Sequence, residues 1–171
     1  MKGPFSVTTA RQSSGFMFWR VSTLWQRGIR GLLDPLGLTH TQFVLLASLR
    51  WLEKSSQADL SGHTGCDSMT VSSVVRTMAA RGWVDRQDDD SDRRAKVLRI
   101  TSKGTAIVDR AVPLVEAFDR QFFLDRLGDR KGRFLKDLDD LARGVEDGRP
   151  GSPGPVGRSA RSQPAFRATR A

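Results

Sequence analysis

The chain has 171 residues, a formal net charge of +9 and a pI near 10.9, with 38% hydrophobic and 27% charged residues, the composition of a soluble globular domain. No apolar run reaches the roughly 18 to 20 residues that span a bilayer, and the start MKGPFSVTTARQSSGF lacks the apolar stretch of a secretory signal. The single cysteine, Cys66, excludes an internal disulfide, so the expectation is a cytoplasmic protein, away from membranes, with a polyanionic partner.

Residues 1–14 read as a flexible arm. From Phe16 to about Leu33, Val21, Leu24, Trp25, Gly28 and Leu32 recur at helical spacing. Asp34-Pro35-Leu36-Gly37 breaks that helix. Thr39 with Gln42 three residues on is a capping box, and Phe43, Leu46, Ala47 and Trp51 carry the next helix. A short helix is predicted over Gln57 to His63, closed by Thr64-Gly65. Asp67 then N-caps the segment SMTVSSVVRTMAARG, which Gly82 stops. Two strand-like pieces follow, Trp83 to Arg86 and Lys96 to Thr101, so the intervening aspartate run is the tip of a hairpin. After Thr101 a long helix is predicted with Ile107, Ala111, Leu114, Phe118 and Phe122 on one face and a kink at Pro113. A last helix runs from Asp129 to about Val145 with Phe134, Leu138, Leu141 and Val145 as its stripe. Residues 147–171, rich in Pro, Gly, Ser and Arg, hold five arginines and one aspartate and so carry +4 of the net +9. That composition predicts a disordered basic tail, leaving the case for nucleic acid to the folded part.

Three short helices followed by a hairpin are the layout of a winged helix-turn-helix, whose second motif helix enters the major groove. At 100° per residue, Val71, Val74, Val75 and Met78 fall on one side of residues 68 to 81 and would pack inward. The other side carries Met69, Ser72, Ser73, Arg76 and Ala80, flanked by Thr70 and Thr77. Small hydroxyls and one arginine suit base edges and phosphates, and no carboxylate repels the backbone; an ordinary amphipathic helix with a small polar surface would look similar. The hairpin tip shifts the balance toward the first. Arginines there can enter the narrow minor groove, and aspartates beside them can close the turn and aim a guanidinium. Asp92 is expected to organise the tip and orient Arg94, while Asp88 to Asp90 face solvent.

The segments LTHTQFVLLASL and TGCDSMTVSSVVRTMAARGWVDRQDDDSDRRAKVLRITSKG, with the flanking helices, resemble the MarR family of winged helix-turn-helix transcriptional regulators. The resemblance covers about residues 15–146, with a DNA-binding part over about 38–101. Its most specific piece is Asp92-Arg93-Arg94, then a strand ending Ile100-Thr101, then Lys103-Gly104. It implies a mainly α fold with a small β-hairpin wing, flanked by dimerisation helices. It also implies an obligate homodimer that binds a pseudo-palindromic double-stranded DNA operator, as a repressor released by a small aromatic ligand. The family's wing Asp and Arg carry over to Asp92 and Arg94, and its polar recognition positions to Ser68, Thr70, Ser72, Ser73 and Arg76. With Met69, Arg86 and Arg93 these make up the candidate DNA-contacting set.

There are departures. Asp90 stands where a proline is common, and Met69 where a small polar residue is usual, its thioether suited to a thymine methyl. Asp59 and Ser61 replace a frequent glutamate and alanine. Trp19 and Phe43 are the candidate lining of an effector cleft, with core packing as the alternative. Cys66 reads as a turn residue, and His40 and His63 lack metal-ligand spacing, so no metal or cofactor is expected. No nucleophile elbow, phosphate loop or metal motif supports an enzyme. The remaining alternatives are a winged-helix protein-assembly module and a non-specific nucleic-acid binder driven by the basic tail.

Overall fold

The computed structural model describes residues 7–88 and 96–146. Helix α1 (Ser14–Leu33) starts where the Ser13 hydroxyl accepts from the Phe16 N–H, and a 3-10 turn, Asp34–Leu36, ends it. Gly37 then takes φ +68°, a left-handed conformation glycine adopts without strain, and redirects the chain into α2 (His40–Leu52). The Thr39–Gln42 capping box is formed: Gln42 N–H donates to Thr39 Oγ1 at 3.2 Å, and Thr39 N–H to Gln42 Oε1 at 3.0 Å. Helix α3 (Gln57–Thr64) has a second capping box, Ser56 with Asp59, which the sequence reading did not assign. Helix α4 (Ser68–Ala80) follows, and then strands β1 (Val84–Asp88) and β2 (Lys96–Ile100).

The strands pair antiparallel from Val84 opposite Ile100 to Asp88 opposite Lys96. Sequence alone did not reveal that Ser55 adds a bridge to the far side of this hairpin. Ser55 N–H donates to the Leu98 carbonyl at 3.2 Å, and Leu98 N–H to that of Ser55 at 2.8 Å. The loop after α2 thereby ties the hairpin to the helices. Helix α5 (Ser102–Asp119) passes through Pro113 as one helix. A π turn, Arg120–Leu124, follows it and leads into the short α6 (Asp125–Leu127). A 3-10 turn, Gly128–Arg130, joins α6 to α7 (Lys131–Glu146).

One core joins these elements. It is built on Ile29 and Leu33 of α1, Leu45, Leu46 and Leu49 of α2, and Leu60 of α3, all fully buried. Val71, Val75 and Met78 of α4 close it from one side, and Val84, Leu98, Val108 and Ala111 from the others. The inward face of α5 is wider than the sequence expectation: Ala111 is buried and Ile107 and Phe118 are half-buried against the core as expected, but further residues join them. Gly104, Val108, Ala111 and Val115 are buried, whereas Leu114 is 42% exposed. Helix α5 carries two overlapping apolar stripes that share Ala111, and close packing at its start makes the second the more deeply buried. A Cβ on Gly104 would overlap the Trp83 carbonyl oxygen, so the first turn can meet the hairpin only through that glycine. With Gly104 inward, Val108, Ala111 and Val115 follow at helical spacing. Among the described residues no helix is long and apolar enough to cross a membrane.

Candidate nucleic-acid interface

The turn between α3 and α4 is held by the chain's own hydroxyls. Gly65 is left-handed at φ +68°, and its N–H donates to the Ser61 carbonyl at 2.9 Å. The Ser61 hydroxyl donates to the Cys66 carbonyl at 2.6 Å, and Cys66 N–H to Thr64 Oγ1 at 3.3 Å. Cys66 is half-buried against the core, as its role in the turn requires.

Asp67 then caps α4 twice over. Its carboxylate accepts from Thr70 N–H at 2.8 Å and from the Thr70 hydroxyl at 2.6 Å. The Thr70 hydroxyl bond, followed by its backbone N–H, holds the Asp67 carboxyl below the usual carboxylate range. One candidate contact is thereby spent: the Thr70 hydroxyl proton is committed to the cap, so Thr70 has only its lone pairs left to offer. The sequence indicated both residues but not their bond.

Beyond the cap, α4 divides as the helical spacing required. Val71, Val75 and Met78 are fully buried, with Val74 packed partly against them. Ser68, Ser73, Arg76 and Thr77 are exposed, Ser72 is half-buried, and Met69 stands out at 82% exposure. No acidic residue lies between Ser68 and Ala80. Arg76 has no hydrogen bond or ion pair to another described residue, and its side chain is exposed. Arg86 is exposed on β1. Asp92, Arg93 and Arg94 lie outside the described residues.

Of the two aromatic candidates, Phe43 takes the core-packing alternative. Phe43 belongs to the core and is only 9% exposed, because its position on α2 faces the interior of the bundle. Trp19 is 63% exposed on α1 and meets Phe16, with ring centroids 6.1 Å apart. The two do not form one lining. An apolar cavity of about 440 Å³ does exist elsewhere, walled by Val21 and Leu24 of α1, by Phe122, Phe123, Arg126 and Leu127, and by Phe134 of α7. A second aromatic cluster links α1, α2 and α5. Trp25 Nε1 donates to Asp119 Oδ1 at 2.7 Å, and the Trp25 ring meets His40 edge-on at 4.9 Å. Burial there lowers the His40 pKa, with the Asp119 charge acting against it.

A family model described as the MarR family matches residues 38–96. The chain is 35% identical over 135 residues to the HTH-type transcriptional regulator YdcH of Bacillus subtilis, covering 77% of this chain and 90% of that one. It is 28% identical over 127 residues to an HTH-type transcriptional repressor of Mycobacterium bovis, covering 74% of this chain and 91% of that one. Its fold is similar to that of BpsR from Bordetella bronchiseptica, with a TM-score of 0.74 at 24% identity over 82% of this chain and 98% of that one. That structure is described as showing the regulation of BpsR DNA binding by 6-hydroxynicotinic acid.

Proposed function

This chain belongs to the MarR family of winged helix-turn-helix transcriptional regulators, and on that premise we propose that it is a homodimer that represses transcription from a pseudo-palindromic operator. The observation that carries the reading is the outward face of α4. It is capped by Asp67, carries hydroxyls and the exposed Arg76, and is free of carboxylates from Ser68 to Ala80. Such a face can approach an anionic groove without opposing it. Ser68, Met69, Ser72, Ser73 and Arg76 are the base-edge and phosphate candidates on this helix, with Thr70 accepting only. Arg86, Arg93 and Arg94 supply the wing, and Asp92 aims Arg94.

Dimerisation rests on a separate observation. Leu24 of α1 and Leu135, Leu138 and Leu141 of α7 are all exposed, and large apolar side chains grouped on two flanking helices mark a surface suited to association. A second copy would cover it, and two-fold symmetry would then place two α4 helices about one DNA turn apart. A small aromatic effector belongs to the proposal as well. The ligand described for BpsR supports testing that chemical class.

Selection of DNA from a random pool by the full chain tests the reading, and an enriched inverted repeat is expected. Recovery of no preferred sequence would sink it. On the selected operator, Arg94→Ala should weaken binding by about 1–3 kcal/mol and make the slope against log[salt] shallower by about 0.9 per lost phosphate contact. Asp92→Ala is the sharper variant. Charge alone would tighten binding, whereas loss of an aiming contact weakens it. Removing residues 148–171 should leave the sequence preference intact; a binder driven by the basic tail would lose most of its affinity.

A further inference from the structure

An exposed arginine at the end of a recognition helix invites assignment as a phosphate contact. The geometry of Arg81 points elsewhere. Its Nη1 donates to the Gly37 carbonyl at 2.7 Å, across 44 residues of chain. Its guanidinium also lies over the Trp83 ring, 4.8 Å from the centroid. Both partners are themselves fixed. Gly37 is the left-handed corner before α2, and its own N–H donates to the Asp34 carbonyl at 2.9 Å. Trp83 is 6% exposed at the root of the hairpin. Its N–H donates to the Met78 carbonyl at 2.9 Å, and its carbonyl accepts from Thr101 N–H at 3.0 Å. One side chain therefore joins the corner before α2, the end of α4 and the start of the wing.

We propose that Arg81 is a positioning residue that clamps the α1–α2 corner to the root of the wing, so that α4 and the hairpin meet DNA as one preset surface. The inference rests on the DNA-binding reading above and adds a residue to it. Arginine suits the task because a planar guanidinium can donate in its plane while its face lies on an indole; the single nitrogen of a lysine cannot do both. The contrast with Arg76 on the same helix is chemical: Arg76 is unengaged among the described residues, and Arg81 is already committed. Loss of the clamp leaves the DNA-facing groups in place and lowers the fraction of molecules in the docking arrangement. Apparent affinity falls by that fraction.

The full chain carrying Arg81→Ala, Arg81→Lys or Arg76→Ala is titrated with the selected operator at several salt concentrations. Both Arg81 variants should weaken binding roughly 3- to 10-fold, and Arg81→Lys should keep the wild-type salt slope. Arg76→Ala should instead make that slope shallower by about 0.9 per half-site. Wild-type affinity in Arg81→Lys together with a shallower slope in Arg81→Ala would make Arg81 a phosphate contact and overturn the proposal. A second measurement needs no DNA. In the free protein, amide hydrogen exchange at Gly37, Leu38, Gly82 and Trp83 should speed up in both Arg81 variants, with the α2 and α5 interiors unchanged. Unchanged exchange at those four amides would overturn the clamp even if the operator is bound as proposed. Failure of the wild type to select any operator would instead remove the DNA-binding reading, and the exchange result would still decide the clamp.

Discussion

In α4 the apolar residues Val71, Val75 and Met78 are fully buried within the chain, whereas in α7 Leu135, Leu138 and Leu141 stand 57%, 37% and 66% exposed. Both helices are amphipathic, and both have a polar face suited to water. Helix α4 is enclosed by α2, α3 and β1. Helix α7 meets the rest of the described chain through Phe134, whose ring stacks on Phe123 with centroids 5.8 Å apart. Its solvent side is laced instead by i,i+4 ion pairs, Lys136–Asp140 at 2.7 Å and Arg143–Asp139 at 2.8 Å. Such exposed pairs favour the helix locally but contribute little to the fold. The lesson is that an amphipathic stripe says a face will be covered without saying by which chain. One region completes itself within the described chain, and the other leaves its stripe open, as the proposed homodimer requires.

The self-contained region is most sensitive at Gly104. Any Cβ there meets the Trp83 carbonyl, a backbone atom that no rotamer change can move. Gly104→Ala should therefore destabilise the fold by about 3 kcal/mol, equally at every protein concentration. Denaturant titration at two concentrations checks both halves of that statement.

Leu138→Ala is the counterpart in α7. Its own chain should hardly register the change, while the dimer should lose about 2 kcal/mol over its two copies, a ~30-fold rise in dissociation constant. Sedimentation equilibrium reads it. A loss of stability independent of concentration would mean that α7 is completed within its own chain.

Asp67→Ala removes the cap on α4 and should lower Tm by roughly 2–4 °C, with no effect on the monomer–dimer balance. Because the folded carboxyl is held below its ordinary value, the cap contributes above about pH 4 and fades as pH falls further. The stability difference between wild type and Asp67→Ala should therefore shrink on acidification through that range.

The smallest effect concerns His40, where α2 meets α1 and α5. Burial favours its neutral form in the folded state, so the unfolded chain binds the proton more readily. Stability associated with His40 is then present above about pH 6.5 and lost as pH falls through and below that value. Unfolding midpoints at pH 7.5 and 5.5 should differ less in His40→Gln than in the wild type. A steeper dependence in the variant would show that the Asp119 charge outweighs burial.

Capping and turn chemistry made much of this architecture readable from sequence. Thr39 with Gln42, Asp67 before α4, Gly37 and Gly82 are signals whose partners lie within a few residues, so their outcome does not depend on the rest of the fold. The division of α4 into an inward valine face and an outward hydroxyl face was equally legible, because 3.6-residue geometry alone sets it. The exposure of the candidate residues was legible to the same depth: Ser73 and Arg76 lie on the outward face, whereas Thr70 shares its hydroxyl with the cap.

Only the tertiary structure could decide which of the two overlapping stripes of α5 is the more deeply buried, since both have helical spacing and the close approach of Gly104 to the Trp83 carbonyl turns one of them further inward. The same holds for the Ser55 bridge to Leu98, the burial of Phe43 away from Trp19, and the reach of Arg81 to Gly37. Each joins residues far apart in the chain. Local rules determine where an element begins, ends and turns its faces; close packing between elements determines which of several permitted faces is used and which polar groups are already spoken for.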